Sequence, residues 1–204
     1  MLGTALAIPS AFALLPAESD SNASVQLLTH LAYCTMVVLA VWAALRMDGR
    51  GLRAVGLERA SLSSVPWGLG LWAFGAFVVP FVTAPLFNLV DIDVRSGIAN
   101  LAQMPMWLRL VVAITSGPTE ELLYRGFAVD QLTRLFGRPW VAGAVAAVIF
   151  GLAHVPTWGL GFALAADLPM GIYATAFYIW RRDLAANMFA HAFGLVVAMI
   201  SIGP

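Results

Sequence analysis

Two adjacent glutamates and an arginine, in Glu120-Glu121-Leu122-Leu123-Tyr124-Arg125, stand in an otherwise apolar stretch of this chain. Two histidines follow, in Phe150-Gly151-Leu152-Ala153-His154 and in Asn187-Met188-Phe189-Ala190-His191. Carboxylate and imidazole are the side chains most often used to move protons near neutral pH. Spacing separates their roles. Glu121 and Arg125 are four apart, share a helix face and should pair. Glu120 is five from Arg125 and points away from it, so one carboxylate is neutralised while the other stays free for chemistry. Such a set suits hydrolysis of a peptide bond, which needs an activated water and a donor for the tetrahedral oxygen. A glutamate near histidine supplies the first. Alternatively, Glu120, His154 and His191 would ligate zinc, which acidifies the bound water. No His-Glu-x-x-His is present, and the residues alone leave both routes open.

The elements that position these groups are membrane helices. The 204 residues are 61% hydrophobic and only 11% charged, against about a quarter charged in soluble domains. A soluble surface could not be covered by so few charges; lipid can do the covering. Net charge is zero, which leaves no basic footprint for nucleic acid. Cys34 is the single cysteine, so the chain has neither an internal disulfide nor a thiolate zinc site. Crossing a bilayer takes about 20 mostly apolar residues. The runs 25–45 and 65–89 meet this, and 105–123, 139–155, 158–180 and 184–203 are further candidates. Residues 2–16 form a shorter run broken by Pro9, read here as a retained helix rather than a signal because no Arg or Lys precedes it. The expected fold is an all-α polytopic bundle of about seven helices, or six without that first run. It is one integral membrane domain over 1–204, with the chemistry in about 105–203.

Arginine orients the bundle. Arg46, Arg50, Arg53 and Arg59 share one loop, Arg134 and Arg138 another, Arg181 and Arg182 a third. The intervening loops hold Glu18 and Asp20, then Asp91, Asp93 and Arg95, then Asp167. Alternate loops are thus Arg-rich, which places the N-terminus in the cytoplasm and, in a bacterium, the protein in the plasma membrane. Geometry ties the first two motifs together. If 105–137 is one long helix turning at Gly137-Arg138-Pro139, residues of equal height have numbers summing to about 275, as Glu121 and His154 do. At about 1.5 Å per residue both lie roughly 24 Å above that turn. His191 lies about 13 Å above the turn at Arg182 and joins the layer if the two turns sit at different depths. Gly117-Pro118 leaves the Ile114 carbonyl without its helical donor, so a kink or a restarted helix is expected just before the glutamates.

Each motif also has a plain reading. A Glu–Arg pair is often only a buried salt bridge. A lone membrane histidine such as His30 is more often an interhelical hydrogen-bonding group. Phe150 reads as ordinary core, and the Trp residues near span ends as interfacial anchors. Two glutamates, an arginine and two histidines from three helices exceed what packing needs. Charged groups at membrane depth cost about 2.5–3.5 kcal/mol each on insertion scales and are functional candidates by default.

Taken in order, Glu-Glu-x-x-x-Arg, Phe-x-x-x-His and a late His in the final span resemble the CPBP intramembrane proteases, which include the type II CAAX prenyl endopeptidases. The resemblance runs from about Met106 to Met199, and Gly56-Leu57-Glu58-Arg59-Ala60-Ser61 is similar to the family's short loop before a span. It implies that Glu120 is the base that activates water with help from His154, that Glu121 and Arg125 support it, and that His191 helps hold the oxyanion. The substrate would be a peptide or membrane protein met in the bilayer. The family carries Asn or Asp four residues after the last His, where this chain has Leu195. Asn187, one turn before His191 on the same face, is the nearest substitute. Two other classes fit less well. An ion-coupled transporter would use the same residue types but should show inverted repeats, and none is visible. A non-catalytic partner-binding or bacteriocin-immunity protein, a role also attached to this family, would be consistent with Leu195.

Overall fold

The computed structural model describes residues 22–89 and 95–202. The expected first helix over 2–16, and the acidic residues Glu18, Asp20, Asp91 and Asp93, lie outside the described residues. Helix α1 is Ala23–Met47, begun by the Asn22 side chain accepting from the Ser24 amide. After a loop with two short 3-10 turns come α2, Ser64–Phe77, and α3, Val79–Leu89. Helix α4 is Arg95–Gln103 and α5 is Met106–Glu121. Helix α5 runs on through a π-helical segment, Leu122–Ala128, into α6, Val129–Phe136. Helix α7, Pro139–Phe162, continues through a second π-helical segment, Ala163–Asp167, into α8, Leu168–Arg181. Helix α9 is Leu184–Ser201. The described structure is an all-helical bundle.

Among the described residues, four stretches are long and apolar enough to cross a membrane: Ala23–Met47, Ser64–Phe87, Pro139–Arg181 and Leu184–Ser201. Large apolar side chains such as Phe81 (83% exposed) and Val82 (72%) face outwards, as lipid-covered surfaces require. As one straight rod, Pro139–Arg181 would measure about 64 Å, twice the hydrocarbon thickness. Its contacts show that it folds back. Gly143 packs on Thr175 and Ile179, Gly171 on Ala147, and Gly151 on Leu168. The reversal falls at Gly159, whose φ of 79° is open to glycine at little cost. The expected spans 139–155 and 158–180 are thus the two arms of a hairpin, with the helical conformation interrupted at Gly159. The expected span 105–123 is the upper part of the longer rod Met106–Phe136, about 47 Å in length.

Of the two outcomes expected at Pro118, a kink or a restarted helix, the restart does not occur. Pro118 lies inside α5 with the helix continuing past it, so both glutamates sit mid-rod rather than in a first turn. The irregularity is taken up just beyond, where the π-helical segment carries Tyr124 and Arg125. Single-turn π-bulges of this kind are common at functional sites.

The core lies where the α5–α6 rod meets α1, α7 and the 3-10 loop, around Val41, Val55, Leu123, Phe127, Phe150 and Tyr178. Helix α9 packs most closely on α5 and α2. A Cβ on Gly117 would come within 2.7 Å of the Ala192 amide nitrogen; glycine at 117 is what lets the backbone carrying His191 approach the glutamates. Helices α2 and α9 start side by side, since the Asp183 carboxylate caps α9 through the Ala186 amide and accepts from the Ser64 hydroxyl. At the far end Arg109 donates to the carbonyls of Met104 and Ile202, tying the start of α5 to the end of α9.

The three Arg-rich loops gather at one end of the bundle. Arg50 and Asp130 form a bidentate pair, and Asp48 accepts from Gln131 and Arg134. Those bonds hold the Asp48 carboxyl below its ordinary range. Arg59 and Arg182 donate to the carbonyls of Arg181 and Ala54, and the Leu184 amide donates to Gly56.

Candidate active site

The rod α5–α6 supplies Glu120, Glu121 and Arg125, α7 supplies His154, and α9 supplies Asn187 and His191. All six come together in one layer. Glu121 and Arg125 pair at 2.8 Å and are almost wholly buried, at 1% and 0% side-chain exposure. His191 Nδ1 donates to the same Glu121 oxygen at 2.9 Å, and Asn187 Nδ2 donates to the other at 3.3 Å. Glu121 is therefore saturated. The Arg125 guanidinium lies over the Phe150 ring, 4.3 Å from its centroid, a cation–π contact that helps compensate a charge kept from water.

Glu120 differs in every respect. Its side chain is 17% exposed, and Oε2 lies 3.8 Å from His154 Nε2 and 3.8 Å from His191 Nε2. No arginine is within ion-pair reach of it among the described residues. Both rings are oriented from behind. His154 Nδ1 donates to the Phe150 carbonyl at 2.8 Å, and His191 Nδ1 to Glu121. A neutral imidazole that donates through Nδ1 carries its lone pair on Nε2. The two lone pairs thus converge on the one carboxylate left free. The expected level placement of the first two motifs holds, with Tyr124 edge-on to Phe150 at 5.2 Å one turn below. His191 reaches the same layer.

Two residues escaped the sequence reading. Phe150 is more than core: its ring touches Tyr124, Arg125 and His154, and its carbonyl fixes the His154 ring. The signal was its place one turn before a membrane histidine. Asp167 was assigned to an outward loop. The structure instead buries it to 9% exposure at the end of the second π-helical segment, close enough to His154, Glu120 and His191 for their charges to bear on it. Its Oδ2 has no hydrogen-bond partner. The hairpin that turns at Gly159, between the two expected spans, brings it there. His30 behaves as expected of an interhelical group, with Nε2 2.6 Å from the Thr115 hydroxyl.

A cavity of about 150 Å³ opens beside the layer, between α2, α8 and α9. Glu121, Asn187 and His191 form its polar end, and Leu71, Trp72, Met170 and Leu195 much of its apolar wall. Among the described residues no group of three His, Cys, Asp or Glu side chains is gathered to hold a metal ion. The 3.8 Å from Glu120 to each Nε2 exceeds the roughly 3.4 Å between ligands that each lie about 2.1 Å from one tetrahedral zinc.

A carboxylate and two imidazoles thus converge beside a buried ion pair within a helical bundle. Residues 102–196, a little under half of the chain, match the family model described as type II CAAX prenyl endopeptidase, Rce1-like. The match contains Glu120, Glu121, Arg125, His154, Asn187, His191 and Leu195. Comparison with curated proteins and with solved structures returned no significant match.

Proposed function

We propose that the protein is a membrane endopeptidase that uses Glu120 as general base without a metal. The observation that carries this reading is the contrast between the two glutamates. Glu121 is spent on Arg125, His191 and Asn187, while Glu120 is open and faced by two imidazole nitrogens at 3.8 Å. That distance is too long for a direct hydrogen bond and leaves room for a water that donates one hydrogen to Glu120 and the other to an imidazole.

In the reaction Glu120 takes a proton from this water as its oxygen attacks the scissile carbonyl carbon. A carbon–oxygen bond forms and the carbonyl π electrons move to the oxygen. His154 supports the base by accepting from the water at Nε2, and His191, whose one proton is given to Glu121, has no hydrogen left for the developing oxyanion. Collapse re-forms the carbonyl and breaks the carbon–nitrogen bond, and the proton on Glu120 passes to the leaving amine. Asn187 takes a different part from the one its spacing suggested. Its amide hydrogens go to Glu121 and the Ala174 carbonyl, so it positions Glu121 rather than serving as a free donor. The substrate class follows from the family's description: a peptide with a prenylated C-terminal tail, presented from the bilayer.

The test is cleavage of a quenched fluorescent peptide with a farnesylated Cys-aliphatic-aliphatic-Met tail by protein purified in detergent. Wild type should cleave it, with or without chelator. Activity lost on chelation and restored by zinc, at about one zinc per chain, would replace the base mechanism with a metal one. A wild type inert on every peptide, with Leu195→Asn active, would favour the partner-binding reading.

The end that gathers Arg50, Arg53, Arg59, Arg134 and Arg182 is the cytoplasmic one, by the excess of arginine. Single cysteines at positions 53 and 134 on a Cys34→Ser background should resist an impermeant thiol reagent in intact cells and react after lysis. Labelling of position 53 from outside would invert the topology.

A further inference from the structure

Hydrolysis through a tetrahedral intermediate requires donors aimed at the new oxyanion, and most donors of this layer are already engaged. His154 Nδ1 is held by the Phe150 carbonyl, His191 Nδ1 by Glu121, and Asn187 Nδ2 by Glu121 and Ala174. Arg125 is closed off beneath Phe150 with no exposed surface. Leu195, one turn beyond His191, lines the cavity with an apolar side chain.

A residue with a donor lines this cavity from a helix outside the family match. Trp72 on α2 forms part of the wall together with His191, Gly194 and Leu195. Its height is fixed by two contacts. Gly68 lies against Ala186 and Phe189, and Trp72 lies against Gly194 and edge-on to Phe193 at 4.9 Å. Helices α2 and α9 therefore run parallel, and Trp72 comes level with the turn between His191 and Leu195. The indole Nε1 is 3.6 Å from where a Cβ on Gly194 would stand. Among the described residues this N–H has no hydrogen-bond partner. Indole N–H is a donor only and keeps its proton at any working pH. The ring is held edge-on by Phe193 and by Phe77 at 5.9 Å, so the donor is fixed before substrate arrives.

We propose that Trp72 is a catalytic residue whose indole N–H donates to the scissile carbonyl oxygen, and to the oxyanion formed from it, at the position where Leu195 has nothing to donate. The bond strengthens as negative charge develops on that oxygen, so it acts more on kcat than on KM. The proposal rests on the peptidase reading. Wild type and Glu120→Gln in the same assay decide that reading separately.

The test uses the farnesylated quenched peptide and the full chain. Trp72→Phe, which keeps an aromatic ring and removes the N–H, should lower kcat by about 10²-fold or more with KM nearly unchanged. Adding Leu195→Asn to Trp72→Phe should recover at least about tenfold by putting a donor on the facing wall. If Trp72→Phe unfolds, benzothienylalanine at position 72 keeps the ring shape with sulfur in place of N–H, and the same loss is expected. With wild type active and Glu120→Gln inert, full turnover in the variant lacking the N–H overturns the inference alone. So does a loss that appears in KM only, or one that falls instead on Tyr173→Phe, which removes the hydroxyl of another residue lining the cavity. A silent wild type removes both the inference and the reading beneath it.

Discussion

Glu120→Gln is expected to abolish cleavage while the protein remains folded. The amide has nearly the shape of the carboxylate but cannot take a proton from water at neutral pH. Proton transfer by a positioned base contributes typically 10²–10⁴ in rate, and here the base also forms one wall of the water site. Turnover should therefore fall by at least about 10³-fold. Stability should barely move, because Glu120 has no ion pair with arginine, is 17% exposed and meets the imidazoles only at 3.8 Å. A neutral side chain there leaves no buried charge unpaired. Thermal unfolding in detergent and steady-state cleavage, measured on one preparation, check both halves. Appreciable cleavage by Glu120→Gln would mean that the water is activated elsewhere, with His154 the first candidate.

How far this was legible in sequence depends on the range of the contact. The Glu121–Arg125 pair is local to one helix, and the four-residue spacing names it without knowledge of the fold. The level placement of His154 needs one turn, marked by Gly137 and Pro139. His191 sits on a separate helix, and its height is set by the close approach of α9 to Gly117. Nothing in the residue order states that approach. Asp167 was misplaced for the same reason. Its hydrophilic character fitted a loop, and although a turn between the spans 139–155 and 158–180 was expected, the level at which Asp167 returns beside His154 depends on packing across the hairpin. Pro118 shows the converse error. A local rule foresaw a kink or a restart, but the helix runs on past Pro118 and a π-helical segment follows. The role of Asn187 depended on a carbonyl of α8, Ala174, whose register against α9 only the packing settles.

Glu121→Gln is expected to do the opposite of Glu120→Gln first, and then to share its effect. Removing the charge strands Arg125, which has no exposed surface, and breaking a buried pair by one partner costs about 3–5 kcal/mol. Folding should suffer before any question of catalysis arises. Activity should fall too, because His191 Nδ1 loses the carboxylate that orients its ring. The double variant Glu121→Gln with Arg125→Met separates the two effects. With both charges gone no unpaired ion remains, and buried pairs replaced by neutral groups of similar volume are often as stable as the original. Most of the lost stability should therefore return. Cleavage should not, since a neutral amide holds the imidazole less firmly and leaves the developing charge near His191 without its counter-charge. Thermal unfolding and cleavage of the two single variants and the double variant form a complete cycle. Were Glu121→Gln to unfold no earlier than wild type while Glu120→Gln collapsed, the roles of the two carboxylates would be exchanged, and Glu121 would be the base.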